Sequence, residues 1–164
     1  MKTILLGNAG AGKTTLAAAL IGEREIPVLS LDEIAWQAGV QRRPLEESRD
    51  ALLAFIGAHE QWLIEGCYGD LVEIALPHCE ELIFLNPGVD TCVRHCLQRP
   101  WEPSKFASAQ EQQAALAGLL EWVKTYETRA DEYGLARHRQ IYDGFPGRKR
   151  ELRDAPPLTP AGAS

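Results

Sequence analysis

No stretch of this chain is apolar for long enough to cross a bilayer. Lys2 precedes Ile4, Leu5 and Leu6 as in a secretory leader, but the run is short and Asn8 and Lys13 interrupt it. A cytoplasmic protein without a membrane partner is expected. A basic excess is missing too. Lys and Arg number 17 against 23 Asp and Glu, a formal net charge of −6. That balance argues against a general nucleic-acid partner and leaves room for a local basic pocket. No Cys-x-x-Cys pair occurs. Cys67, Cys79, Cys92 and Cys96 read as reduced thiols, and His95 and Cys96 stand too close together to share a zinc ion easily. There is no internal repeat and no interdomain linker. At 164 residues the chain suits one domain with one filled core.

What is present is an alternation of short apolar runs and helical patterns. Residues 2–6, 26–32, 61–66 and 81–86 read as strands, and 139–143, "RQIYD", as a short fifth. Helices are expected over 14–22, 44–60, 70–78 and 89–99. A long one is expected over 109–133, opened by a Ser108/Glu111 capping box. Residues 100–107 form a polar loop with prolines. The Pro/Ala-rich tail, 155–164, is expected to be disordered, leaving a single domain over 1–154. The alternation predicts an α/β fold with a mostly parallel sheet covered on both faces. Functional residues of such sheets gather at the carboxyl ends of the strands, which here carry a glycine-rich loop, Asp32, Glu65 and Asn86.

That loop, "GNAGAGKT", runs from Gly7 through Asn8, Ala9, Gly10, Ala11 and Gly12 to Lys13 and Thr14, and fits G-x-x-x-x-G-K-[ST] without a mismatch. Glycines let backbone N–H groups wrap an anion, and the following helix adds its positive end. Lys13 is expected to reach the β- and γ-phosphates, and the Thr14 hydroxyl to ligate Mg²⁺. Thr15 could touch the α-phosphate. The expected ligands are therefore ATP and Mg²⁺. No Asn-Lys-x-Asp run, the reader of guanine in many GTPases, is present, and no long second region for a motor or ring ATPase.

With "LDEIAW" (31–36), "WLIEGCY" (62–68), "ELIFLNP" (81–87) and "RHCLQRPWE" (94–102), the loop resembles the adenylate kinase/shikimate kinase branch of P-loop proteins. More closely, it is similar to small bacterial kinase-like ATPases labelled DNA-topology-modulation proteins. The resemblance covers about residues 1–150. It implies a three-layer P-loop NTPase fold, with a parallel five-stranded sheet of order 2-3-1-4-5, helices on both faces and a small mobile lid at about 99–112. A monomer or weak dimer is expected.

The resemblance also suggests roles. Asp32 would face an acceptor hydroxyl as a base or orient the Mg²⁺ shell; the competing reading is a helix N-cap. Glu65 stands where related kinases carry Asp-Gly. It is open to three roles: a Mg²⁺ ligand through water, a base, or an arginine's partner. Asn86 stands where related chains often carry Asp, which removes a charge. Arg99, at the lid entrance, and Arg129, in "RADEY", would contact phosphates, Arg129 with a salt bridge to Asp131 or Glu132 as its alternative. Trp36, Arg42 and Arg43 lie where acceptors enter in the kinase relatives, with a core position as the equal alternative for Trp36. Trp62, Trp101 and Trp122 read as packing residues, with a place against adenine at the lid as the alternative for Trp101, and 144–150 as a border of an adenine pocket or a solvated charge run. The implied function is transfer of the γ-phosphate of Mg–ATP to an unidentified small acceptor: a nucleotide, nucleoside or hydroxy-acid. The alternatives are a regulatory ATPase switching on a macromolecular partner, or a nucleotide binder without turnover. The Asp-x-Asp of true shikimate kinases is absent, since 30–33 reads Ser-Leu-Asp-Glu.

Overall fold

The computed structural model describes residues 1–37 and 41–154; the 155–164 tail lies outside them. Five strands, β1 (Lys2–Gly7), β2 (Val28–Ser30), β3 (Trp62–Gly66), β4 (Glu81–Leu85) and β5 (Arg148–Leu152), form one sheet of order β2-β3-β1-β4-β5. Every pairing is parallel. This is the sheet the resemblance implies. β1 is central, with Ile4 level with Ile64 of β3 and Leu82 of β4. Strand side chains alternate between faces. On one face Ile4, Leu6, Ile64 and Phe84 pack against α3 (Leu45–Ala58), α4 (Gly69–Ala75) and α7 (Leu135–Gly144) through Leu52, Leu71, Val72 and Ile141. On the other Leu5, Leu63, Ile83 and Leu85 meet Ala17, Cys92, Cys96 and Val123 of α1 (Lys13–Ile21), α5 (Val89–Leu97) and α6 (Ala109–Lys124). A sheet buried on both faces needs near-continuous apolar strands, which is why β1, β3 and β4 are readable in the sequence.

The last third of the chain departs from expectation. "RQIYD" is not a strand but the second half of α7, where Leu135, His138, Ile141 and Tyr142 turn one face to the core at helical spacing. The fifth strand is instead "RKREL", expected only as a pocket border or a charge run. It is an edge strand, where charged side chains suit the exposed rim. Arg148 and Arg150 pair with Glu81 on β4. The expected 109–133 helix stops at Lys124. The Thr125 hydroxyl donates to the Trp122 carbonyl, and Asp131 accepts from the Tyr133 N–H. These local side-chain bonds compete with helix continuation. The chain then doubles back, and Leu135 N–H donates to the Tyr126 carbonyl. The Ser108 cap holds as expected, with its hydroxyl accepting from Glu111 N–H at 3.1 Å.

His138 has no solvent exposure. Its Nε2 bonds the Cys67 carbonyl at 2.8 Å, and its Nδ1 lies 2.7 Å from the Tyr126 hydroxyl. With Nε2 carrying the proton, Nδ1 accepts from the phenol. The imidazole thus ties α7 and the chain after α6 to the end of β3. Burial pushes its pKa down to about 4. Between there and the ordinary imidazole value, about 6.5, the unfolded chain binds more protons than the folded one. The stabilisation is complete above that value and is lost as pH falls toward about 4. A His138→Gln variant is expected to lose less stability than the wild type across this interval, compared by urea unfolding at stepped pH. Equal losses would remove His138 from the acid sensitivity.

Candidate functional site

The carboxyl end of β1 opens into the glycine-rich loop, and the loop leads into α1. Gly10 and Gly12 take φ of +80° and +100°, a region in which L side chains are strained. At Gly10 a Cβ would also stand 2.3 Å from the Cys92 carbonyl and 2.8 Å from Cys96 Sγ. The loop is pinned around this contact. His95 Nδ1 lies 2.6 Å from the Gly10 carbonyl oxygen, and Asn8 Nδ2 donates to the Val123 carbonyl at 3.2 Å. The Lys13 ammonium is turned inward, donating to the Gly7 and Asn8 carbonyls at 3.0 and 2.7 Å. Thr14 is exposed and Thr15 half-buried. Both line a cavity of about 1020 Å³, together with Ala9, Gly10, Gly12 and Lys13.

Asp32, Trp36, Glu65 and Arg99 line the same cavity. Asp32 opens a short helix, α2 (Asp32–Ala35), but does not cap it; Leu31 occupies the cap position. Its carboxylate is held by side chains instead. The Tyr68 hydroxyl donates to Asp32 Oδ1 and accepts from Trp36 Nε1 at 2.8 Å. Lys105 Nζ stands 3.5 Å from Oδ2. Burial, with the Asp32 charge second, pushes the Tyr68 hydroxyl well above its ordinary value, so it stays protonated and donates. Glu65, the penultimate residue of β3, lies on the cavity wall, and its carboxylate takes no arginine partner among the described residues.

The arginines separate into two groups. Arg99 follows α5 and lies on the cavity wall with Gln98, Pro100, Glu102, Ser104, Lys105 and Phe106. This segment is fastened to α6 by Gln112, which donates to the Pro100 carbonyl and accepts from Glu102 N–H. Arg129 is off the wall. It grips Asp131, as its alternative reading had it, with contacts of 2.6–3.0 Å, and stacks over Trp122 at 4.7 Å. Arg42 is also off the wall. It donates to the Tyr133 hydroxyl and to Asp70 at 3.2 Å, and its guanidinium covers the Tyr68 ring at 4.9 Å. Arg43 Nε donates to the Trp36 carbonyl. Asn86 faces away toward β5, where its amide donates to Glu151.

Sequence reasoning gave Tyr68 no role, weighed His95 only for zinc, and noted Tyr133 only as the tyrosine that follows Arg129. Tyr68 stood inside a quoted motif, "WLIEGCY", two residues beyond the glycine that ends β3, and its position after a strand end was the available signal. Trp122, read as packing, lines the cavity; Trp101 is 46% exposed and lies off its wall. The four cysteines are free, and burial pushes Cys67 up to about 12 and Cys92 up to about 11. Among the described residues no group of three His, Cys, Asp or Glu is placed to hold a metal. No helix there is long and apolar enough to cross a membrane. The oxygen donors on the cavity wall, the Thr14 hydroxyl with the Asp32 and Glu65 carboxylates, fit Mg²⁺, which keeps several waters and takes phosphate oxygens.

No protein-family model matches this chain, and no curated protein matches it in sequence. Its fold is that of a solved kinase. Deoxyadenosine kinase from M. mycoides, with bound dATP, superposes with a TM-score of 0.50 at 12% identity, covering 96% of this chain and 93% of that one. A sugar kinase from Janibacter sp., unliganded, gives a TM-score of 0.48 at 16% identity, covering 92% of this chain and 84% of the other. At these identities the likeness is one of fold.

Proposed function

We propose that this chain is an ATP-dependent phosphotransferase acting on a small hydroxyl-bearing molecule. The observation that carries this reading is the opening of the phosphate loop and the Asp32 carboxylate onto one cavity. The loop N–H groups and Lys13 hold the β- and γ-phosphates. Asp32, fixed by Tyr68, accepts the acceptor's hydroxyl proton as the new oxygen–phosphorus bond forms. The bond from the γ-phosphorus to the bridging oxygen breaks, and ADP leaves with the electron pair. Thr14 would hold Mg²⁺, with Glu65 reaching it through water, and the ion would supply charge neutralisation on the phosphates. Arg99 stabilises the transferring group, and the 99–112 segment closes over the site as a lid. With Arg129 engaged by Asp131, we assign it to holding the turn after α6, while Trp36 borders the acceptor.

The test follows Mg–ATP turnover by ³¹P NMR against nucleosides, monophosphates, sugars and hydroxy-acids, with Lys13→Ala as control. A new phosphorylated species that disappears in the variant supports the proposal. ADP and inorganic phosphate alone across the panel would overturn it in favour of a regulatory ATPase.

A further inference from the structure

Building on the phosphotransferase reading, we infer that the acceptor is an uncharged molecule with a flat ring, its reacting hydroxyl presented to Asp32. Four aromatic side chains form a continuous wall beginning at that carboxylate. Trp36 and Tyr68 are bonded to each other, and Tyr68 to Asp32. Tyr133 meets the Tyr68 ring edge-on at 5.4 Å, and Trp122 meets Tyr133 at 5.6 Å. All four line the cavity, and Leu116 and Leu119 continue the wall along α6. Three of the four polar tips along this wall are engaged: Trp36 Nε1 by Tyr68, the Tyr68 hydroxyl by Asp32, and the Tyr133 hydroxyl by Arg42. What faces a ligand is ring surface, which favours a planar partner.

The charges point the same way. Of the guanidiniums beside this wall, Arg42 pairs with Asp70, Arg129 pairs with Asp131 and Arg43 donates to the Trp36 carbonyl, and none of the three lines the cavity. The cations that do are the loop lysine Lys13, Arg99, and Lys105, which stands between Asp32 and Glu102. Asp32, Glu65 and Glu102 face the same space. An acidic acceptor would set a like charge beside these carboxylates; Lys105 is shared between two of them, and Lys13 and Arg99 are the groups the phosphotransferase reading assigns to the phosphates. Monophosphates and hydroxy-acids, both open in the sequence reading, are therefore disfavoured. A ring lying on Trp36 and Tyr68 sits next to Asp32, so the wall serves the acceptor rather than the adenine of ATP.

The experiment separates binding from transfer. Protein saturated with Mg²⁺ and a non-hydrolysable ATP analogue is titrated, by tryptophan fluorescence and calorimetry, with neutral nucleosides and hydroxymethyl-substituted heteroaromatics. Nucleoside monophosphates, shikimate, glucose and glycerol are titrated in parallel. Transfer from ATP is measured on the same panel. The expected result is saturable binding and phosphorylation confined to the neutral rings. Trp122→Leu should raise KM for the ring acceptor by about 10-fold, with kcat and ATP affinity kept. Preference for an acid or an open-chain polyol overturns the inference, as does an unchanged KM in a folded Trp122→Leu protein. Neutral rings that bind without being phosphorylated support the pocket assignment and overturn the phosphotransferase reading instead. No binding by any ring overturns the assignment whatever the transfer assay shows.

Discussion

Lys13→Ala is expected to lower turnover by about 10²–10³-fold, the usual loss when one preorganised charge-stabilising group is removed. The geometry makes this residue hard to replace. Its ammonium is buried and aimed at the loop's own carbonyls, so it can swing to incoming phosphate oxygens without leaving the loop. The variant should fold, because the loop is also anchored through Asn8 to Val123 and through Gly10 to His95. Circular dichroism and the unfolding midpoint check this. Steady-state turnover and ATP affinity then measure the loss, and Lys13→Met controls for side-chain volume. Wild-type turnover in either variant would remove Lys13 from the chemistry.

The second large effect is expected at Asp32. Asp32→Asn keeps the shape and can still accept from Tyr68, but it cannot take a proton. A loss of about 10²–10⁴-fold in turnover is expected, with ATP binding unchanged. Tyr68→Phe should cost less, since it frees the carboxylate to rotate without removing it. The comparison is made in kcat under saturating ATP and acceptor. Should Asp32→Asn turn over normally, proton acceptance belongs to another group, and Glu65 on the same wall is next to be tested.

The features legible in the sequence share a cause. The phosphate loop is written in consecutive residues because the chemistry is done largely by backbone, and glycine adopts without strain the positive φ angles found at Gly10 and Gly12. β1, β3 and β4 were readable because burial on both faces leaves little freedom but to be apolar. β5 was not, because an edge strand is stabilised by one neighbour and by ion pairs, and "RKREL" carries no hydrophobic signal. The end of α6 was missed because neither glycine nor proline marks it. Thr125 and Asp131 make the break, and their effect depends on which backbone groups they reach. The arginines show the limit most clearly. Arg42, Arg99 and Arg129 are alike in sequence, yet two are bound to acids and aromatics and one stands on the cavity wall. Which cation remains available is decided by tertiary partners several elements away, and local pattern carries no record of it.

The inward-turned lysine also bears on the energetics of the ligand-free molecule. A buried ammonium bonded to two neutral carbonyls has lost part of its hydration when the chain folds, and among the described residues no carboxylate forms an ion pair with it. The empty protein therefore carries an electrostatic debt that any suitably sized polyanion can cancel. Pyrophosphate or tripolyphosphate, which lack base and sugar, should raise the unfolding temperature by mass action, and the rise should shrink in Lys13→Met. By that logic the loop trades resting stability for grip, and the folded population in a cell would track the supply of polyphosphate-bearing metabolites.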